Sequence, residues 1–324
     1  MACENITGKG TFTVTWIIDN FEYCIEKEGE YIKSPTFVAP TFANTKWSLR
    51  IYPRKGNDIS LCLFRESDSK GPLKIKINYE FALLAADGLC RLFDTTEECF
   101  STNSISNLIS VDQDYLSTNF LSNGNLVVRC KMWYSKKEIS SYCRVRTHIG
   151  VEKKILIWSI KKFSTLEKGI EPTLKIKSTR NQKLIASLKL SLTEDDDETL
   201  QMSFIYPNSQ VRSMYFSNKL YILDSNNVAV PWSNAGVFFD DFSKESKFSL
   251  AITKGEIMEK KSQYLRADVL SLLCECDFST GETTGELEGC DPDAEIQGMN
   301  PIHWTCLQSC RSHRKNENCY KCEH

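Results

Sequence analysis

Two stretches of this chain open alike. Trp16-Ile17-Ile18-Asp19-Asn20-Phe21 and Trp158-Ser159-Ile160-Lys161-Lys162-Phe163 share one W-x-I-x-x-F spacing. Two others close alike: Leu126-Val127-Val128-Arg129-Cys130 after Phe120-Leu121, and Leu270-Ser271-Leu272-Leu273-Cys274 after Tyr264-Leu265. The openings lie 142 residues apart (16 to 158) and the closings 144 (130 to 274). An offset that holds at both ends is the mark of a duplicated domain with small insertions between the marks. The chain is therefore expected to hold one domain over 11–134, a linker over 135–152, a second, diverged domain over 153–279 and a tail over 280–324. At 324 residues, each repeat is long enough to bury about two thirds of its unfolded surface.

Within the repeats the apolar runs are short and alternate. Trp16, Ile18, Phe37, Trp47, Leu49 and Ile51 can point one way, and Pro35, Pro40, Asn44 and Pro53 break the runs. Three short strands result, read as one wall of an all-β sandwich. Asp58 to Phe64 and Leu73 to Phe81 continue the pattern, with turns at Lys55-Gly56-Asn57-Asp58 and Ser67 to Gly71. Lys74, Lys76 and Glu80 are expected to face water. A short helical turn opens at Gln113, and Asn123-Gly124-Asn125 leads into the strand Leu126 to Trp133. In the second repeat Leu184 to Leu192, Thr199 to Ile205 and Leu220 to Leu223 read as strands. The acidic run Glu194 to Glu198 reads as a charged hairpin loop, because it lacks the Gly and the later Glu of a helix-loop-helix calcium site. Trp232 is expected in or beside the core.

A net charge of −2 gives no general attraction to nucleic acid or anionic lipid, and no apolar run approaches the roughly 20 residues of a membrane helix. The opening Met1 to Asn5 carries no charged-then-apolar leader. Fourteen cysteines are scattered rather than regularly spaced. Cys24, Cys62, Cys90, Cys99, Cys130, Cys274 and Cys276 lie within or beside apolar runs, where a reduced thiol acts as a small hydrophobe. A reducing nuclear or cytoplasmic setting is expected. The basic stretch 135–152, with Lys136, Lys137, Arg144 and Arg146, reads as a solvated connector.

After Gly281 the chain turns acidic and loses its apolar period, which reads as disorder. Cys306, Cys310, Cys319 and Cys322, near His303, His313 and His324, have the residue types zinc prefers. The gap Arg311 to Asn318 is shorter than in the common zinc modules, so an unstructured, thiol-bearing tail is expected in place of a metal site. His148, His303, His313 and His324 all fall outside the two expected domains, which leaves no imidazole base for hydrolase chemistry in a folded core. No glycine-rich phosphate loop appears. Neither catalysis nor a cofactor is expected.

The spaced motifs Trp16-x4-Phe21, Gly29 to Phe37, Lys46 to Pro53, Asp58 to Leu63 and Leu126 to Cys130 resemble, in order, those of the MATH domain, also called TRAF-like, most closely the version in speckle-type POZ proteins. The second repeat resembles a diverged copy through Trp158-x4-Phe163 and Tyr264 to Cys276. The resemblance implies two eight-stranded antiparallel sandwiches. It also implies a substrate-binding adaptor that holds Ser/Thr-rich protein segments for a cullin ubiquitin ligase. The peptide then adds along a sheet edge beside an aromatic groove.

Carried over by position, the groove falls on Cys62, Tyr79, the run Ile105-Ser106-Asn107 and, with a shifted register, Phe100; Tyr79 and Phe100 read equally well as core residues. Most of the family's anchoring aromatics are replaced there, so tight binding of the family's usual ligand is not expected. The POZ pattern expected after Gly281 does not appear. Cullin would then be reached only through a POZ domain supplied elsewhere, and the rival expectation is a scaffold fragment or decoy. A monomer is expected, with a protein or peptide ligand and neither nucleic acid nor membrane as partner.

Overall fold

The computed structural model describes residues 10–67, 71–87, 89–134, 140–180, 182–194, 198–207, 214–239 and 245–291. They divide into two units. The first holds the described residues up to Glu22, from Glu26 to Ile149 and from Thr283 on; the second holds Tyr23–Ile25 and Gly150–Glu282.

The first unit is built from β1 (Thr11–Asp19), β2 (Ile32–Lys33), β3 (Phe37–Ala39), β4 (Thr45–Lys55), β5 (Asp58–Arg65), β6 (Lys74–Leu84), β7 (Cys90–Leu92), β8 (Thr96–Ser101), β9 (Ser104–Ile105), β10 (Ile109–Asp112), helix α1 (Gln113–Phe120), β11 (Leu126–Trp133) and the first part of β12 (Ser140–Lys161). One sheet runs β12-β1-β11-β6-β7 with β8 on β6, the other β10-β5-β4-β2 with β3 on β4 and β9 on β5. Strand alternation decides the core: Trp47, Leu49 and Ile51 turn inward from β4 and Ile75, Ile77 and Tyr79 from β6, all fully buried. Phe12 stacks on Phe37 at 5.6 Å between ring centres, and Trp47 meets Phe100 edge to face at 5.1 Å. Asp112 caps α1, its carboxylate accepting the Tyr115 N–H at 2.8 Å. A buried arginine, Arg65, donates to the carbonyls of Phe100 (3.0 Å), Leu73 (3.5 Å) and Pro72 (2.5 Å).

Several expectations are corrected here. The stretch from Trp16 to Pro53 is not one wall: β1 belongs to one sheet and β2, β3 and β4 to the other. Their apolar sets point toward each other across the core and are buried from both sides. The connector expected over 135–152 is strand from Ser140 on. Its register against β1 is parallel, from Thr11↔Ser140 to Asp19↔His148, so the sandwich is not wholly antiparallel. Cys143, Val145, Thr147 and Ile149 point inward and are buried, while Arg144 and His148 point out. The arginines masked an alternation of period two. His148 accordingly sits on a folded strand, although not in the core. The acidic stretch after Gly281, expected to be disordered, is strand to Asp291, because its backbone groups find a ladder even where its side chains find no core. The segment beyond, with Cys306, Cys310, Cys319 and Cys322, lies outside the described residues.

The second unit adds β13 (Thr173–Lys177), β14 (Leu184–Leu192), β15 (Thr199–Ile205), β16 (Met214–Leu223), β17 (Ala229–Phe239), β18 (Glu245–Thr253), helices α2 (Lys254–Glu259) and α3 (Lys261–Tyr264), β19 (Leu265–Arg266) and β20 (Val269–Asp291, of which the part to Glu282 belongs here). One sheet runs β13-β14-β15-β18 and the other β17-β16-β20-β12, with β19 on β20. Trp158, Ile160, Phe163, Leu190, Phe204 and Leu272 are among the core residues, and Trp232 packs against them partly buried. Of the acidic run, Glu194 and Glu198 flank the β14–β15 connection while Asp195 to Asp197 lie outside the described residues, and Thr193 N–H meets the Thr199 carbonyl at 2.9 Å at the strand ends. A capping box opens α2: Thr253 Oγ1 accepts from the Glu256 N–H while the Glu256 carboxylate accepts from the Thr253 N–H.

Of the thiols expected to be reduced, Cys62, Cys130, Cys274 and Cys276 are free and buried, and Cys24 is buried. Cys99 is disulfide-bonded, and Cys143 pairs with Cys290. Among the described residues no helix is long and apolar enough to cross a membrane.

The β1–β12 pairing is tested at Thr147, whose Oγ1 accepts the buried Trp16 indole N–H at 2.9 Å. Thr147→Val strands that donor and should destabilise the first unit by about 1–3 kcal/mol, and Thr147→Ser should restore most of the loss. Denaturant titration followed by tryptophan emission reads both; no effect from valine would contradict the pairing.

Candidate functional site

The β10-β5-β4-β2 sheet has one face on the core and one turned outward. On β4 the outward positions are Ser48, Arg50 and Tyr52, each paired across the ladder with Phe64, Cys62 and Ser60 of β5. Ile105 of β9 lies opposite Phe64, and Ser110 of β10 opposite Ser60. Outward residues of a sheet are usually wet. Here Ser48, Ser60 and Cys62 have no exposed surface and Phe64 almost none.

Arg50 explains part of this covering. Its guanidinium lies 3.4 Å over the Phe64 ring and 4.4 Å from the centre of Tyr31, which in turn packs on Tyr52 at 5.4 Å. A cation between aromatic faces is attracted by both ring quadrupoles, and its stem hides the apolar floor. The Nε of Arg50 is buried and has no hydrogen-bond partner among the described residues. Around this stack stand exposed apolar side chains: Tyr31 at 40% exposure, Ile105 at 42%, with Val38 and Leu108 close behind. The result is a polar-centred, apolar-rimmed surface with β10 as one edge strand.

The sequence-derived groove residues separate on this scaffold. Cys62 is on the face but beneath it, and burial pushes its thiol up to about 12 against a smaller opposing pull from Arg50. Tyr79 and Phe100 are core residues of the other sheet. Tyr79 packs edge-on against Phe81 at 6.0 Å and Phe100 at 5.9 Å, and neither presents surface to a ligand. Their aromatic character serves packing, which accounts for their burial.

The Tyr79 hydroxyl donates to Glu98 Oε2 at 3.0 Å, and burial drives its phenol pKa well up. The same oxygen accepts the Asn107 N–H at 3.2 Å. Ser106, also buried, accepts the Leu63 N–H at 2.9 Å and donates to the Asn107 carbonyl at 3.0 Å. The space next to Tyr79 is therefore filled and polar. Only Ile105 and Asn107 of the expected set are exposed.

Sequence reasoning missed Tyr31, Arg50 and Phe64. The signal was available: Arg50 alternates with the core residues Leu49 and Ile51, and so must share a face with Tyr52 and with the even-numbered residues of β5. Among the described residues no cluster of His, Cys, Asp and Glu is placed to hold a metal ion.

Residues 13–132 match the MATH domain family, so a MATH domain, a protein-interaction module, makes up the body of the first unit. Among solved structures, crystal structures of BuGH86 in complex with neoagarooctaose, wild type and a substituted form, align at 10% identity and a TM-score of 0.13. The alignments cover 72% of this chain, and this chain spans only 33% of the length of those. Likeness of that order carries no argument.

The buried Cys62 thiol gives a pH test. An unfolded thiol loses its proton near 8.5, but the folded one keeps it to about 12. Between those values the folded state holds more protons, so stability should fall as pH rises above about 8.5. At pH 8 Cys62 should resist iodoacetamide in folded protein and react only after denaturation, as read by peptide mass mapping.

Proposed function

We propose that this chain is a non-enzymatic adaptor whose MATH domain holds an extended segment of another protein against the outward face of β10-β5-β4-β2. The observation that carries this is the Tyr31–Arg50–Phe64 stack beside exposed Ile105. An aromatic and apolar surface supplies pockets, the Arg50 guanidinium over Phe64 and Tyr31 brings a cation to it, and an edge strand offers backbone pairing. The ligand class follows the resemblance to speckle-type POZ proteins: a Ser/Thr-rich segment, in the nucleus or cytoplasm, presented for ubiquitin transfer. The ligase would be reached through a POZ domain on another chain. The second unit is proposed as a diverged MATH domain on the strength of its matching opening and closing motifs.

A Ser/Thr-rich peptide array probed with the full chain should yield ligands. Arg50→Ala or Ile105→Asp should weaken them about tenfold, or about 1.4 kcal/mol, each, while Tyr79→Phe should change stability more than affinity. Ligands indifferent to both face substitutions would sink the assignment.

A further inference from the structure

Well apart from that face in sequence, the first unit has a second edge with matched charge. Strand β12 has β1 on one side and, on the other, Thr283–Asp291 of β20. Arg144, Arg146 and His148 stand at every second position of β12, turned away from the core, and Glu286 and Glu288 alternate on β20. Glu288 receives two guanidinium groups: Arg144 Nε at 2.6 Å from Oε2, and Arg146 Nε against Oε1. Arg146 Nη1 also donates to both oxygens of Asp19, at 2.8 and 2.9 Å, and His148 Nδ1 lies 3.7 Å from the same carboxylate. A cavity of about 380 Å³ between the strands is lined by Asp19, Arg146, His148, Thr284, Gly285 and Glu286.

Thr283–Asp291 is held there by little else. Every residue from Thr283 to Cys290 is exposed, Leu287 at 53%, so the strand contributes nothing to the core. Gly285 and Gly289 add to the entropy lost on ordering it. Beyond the ladder and the ion pairs, its remaining tie among the described residues is the disulfide from Cys290 to buried Cys143. If the strand departs, Arg144 loses its carboxylate and Arg146 keeps only Asp19. One arginine is then left without a carboxylate and the other with one, along a sheet edge with open backbone groups, which is a template for another strand.

We propose that the β12 edge bearing Arg144, Arg146 and His148 is a docking site for an acidic extended segment of a partner protein, and that Thr283–Asp291 is its resident, displaceable occupant. Reduction opens the site. A dithiol reductant gives two electrons and two protons to the Cys143–Cys290 bond, leaving two thiols and its own disulfide, and the strand becomes a tethered competitor in place of a covalent one. An incoming segment must then outcompete a ligand at high effective concentration, which favours one with carboxylates at alternate positions, as at Glu286 and Glu288.

The test uses the full chain and a fluorescent peptide Thr-Thr-Gly-Glu-Leu-Glu-Gly, read by anisotropy. The oxidised chain should not bind it. The dithiothreitol-reduced chain and Cys290→Ser should, and Arg144→Gln with Arg146→Gln, or glutamine at both peptide carboxylates, should weaken binding at least tenfold. Amide hydrogen exchange over 283–291 should accelerate on reduction while exchange of β1 and β11 stays slow, a readout independent of any variant. Failure of the reduced chain to bind, binding indifferent to charge, or unchanged exchange would overturn the proposal. So would reduction that doubles the mass in light scattering without peptide capture, since the occupant would then be a second copy.

Discussion

The first unit depends on β1 being paired along its whole length on both sides, antiparallel to β11 and parallel to β12. A strand flanked on both edges has nearly every backbone donor and acceptor satisfied before side chains are considered. That frees both of its faces for burial: Val14, Trp16 and Ile18 on one side, Thr15 and Ile17 on the other, are all shielded. The indole of Trp16 could not be accepted in this position without the hydroxyl that β12 provides. The local chemistry of one tryptophan thus ties a segment 131 residues away into the module.

The outward face follows from the same geometry by exclusion. With Leu49 and Ile51 committed inward, Arg50 has to lie on the opposite surface, and there it finds Phe64 and Tyr31. A long cationic side chain laid over rings hides apolar floor from water while keeping its head available. The face is consequently neither a plain wet surface nor an open greasy trough. At the Tyr79 end, Glu98 joins a phenol to a backbone N–H and closes the space from within. Recognition, as proposed, shifts from the buried rings toward the stack around Arg50.

Much of this fold was legible. Alternation placed Trp47, Leu49 and Ile51 in the core, glycine and asparagine turns separated the strands, and spaced motifs pointed to the module that the family match finds at 13–132. Two kinds of information were not legible. Which strands share a sheet is a matter of long-range pairing, and Trp16 and Trp47 carry the same local pattern although they come from opposite sheets. Charge also outweighed period: Arg144 and Arg146 disguised a strand, and Glu286 and Glu288 disguised another, since each is favourable only once its partner is in place. The groove residues were displaced for a related reason. Position in a motif says which element bears a side chain, whereas burial of Tyr79 and Phe100 depends on what packs over them.

Arg65 leaves a constraint on how this module can diverge. Its planar guanidinium, fully buried, satisfies three main-chain oxygens that come from the approach to β6 and the end of β8. A lysine ammonium concentrates its donors at one point and sheds its proton readily when dehydrated, so it is no substitute for a flat fork. Descendants of this chain can vary the surrounding connection freely only while they retain arginine at that site, or must rebuild connection and cation together.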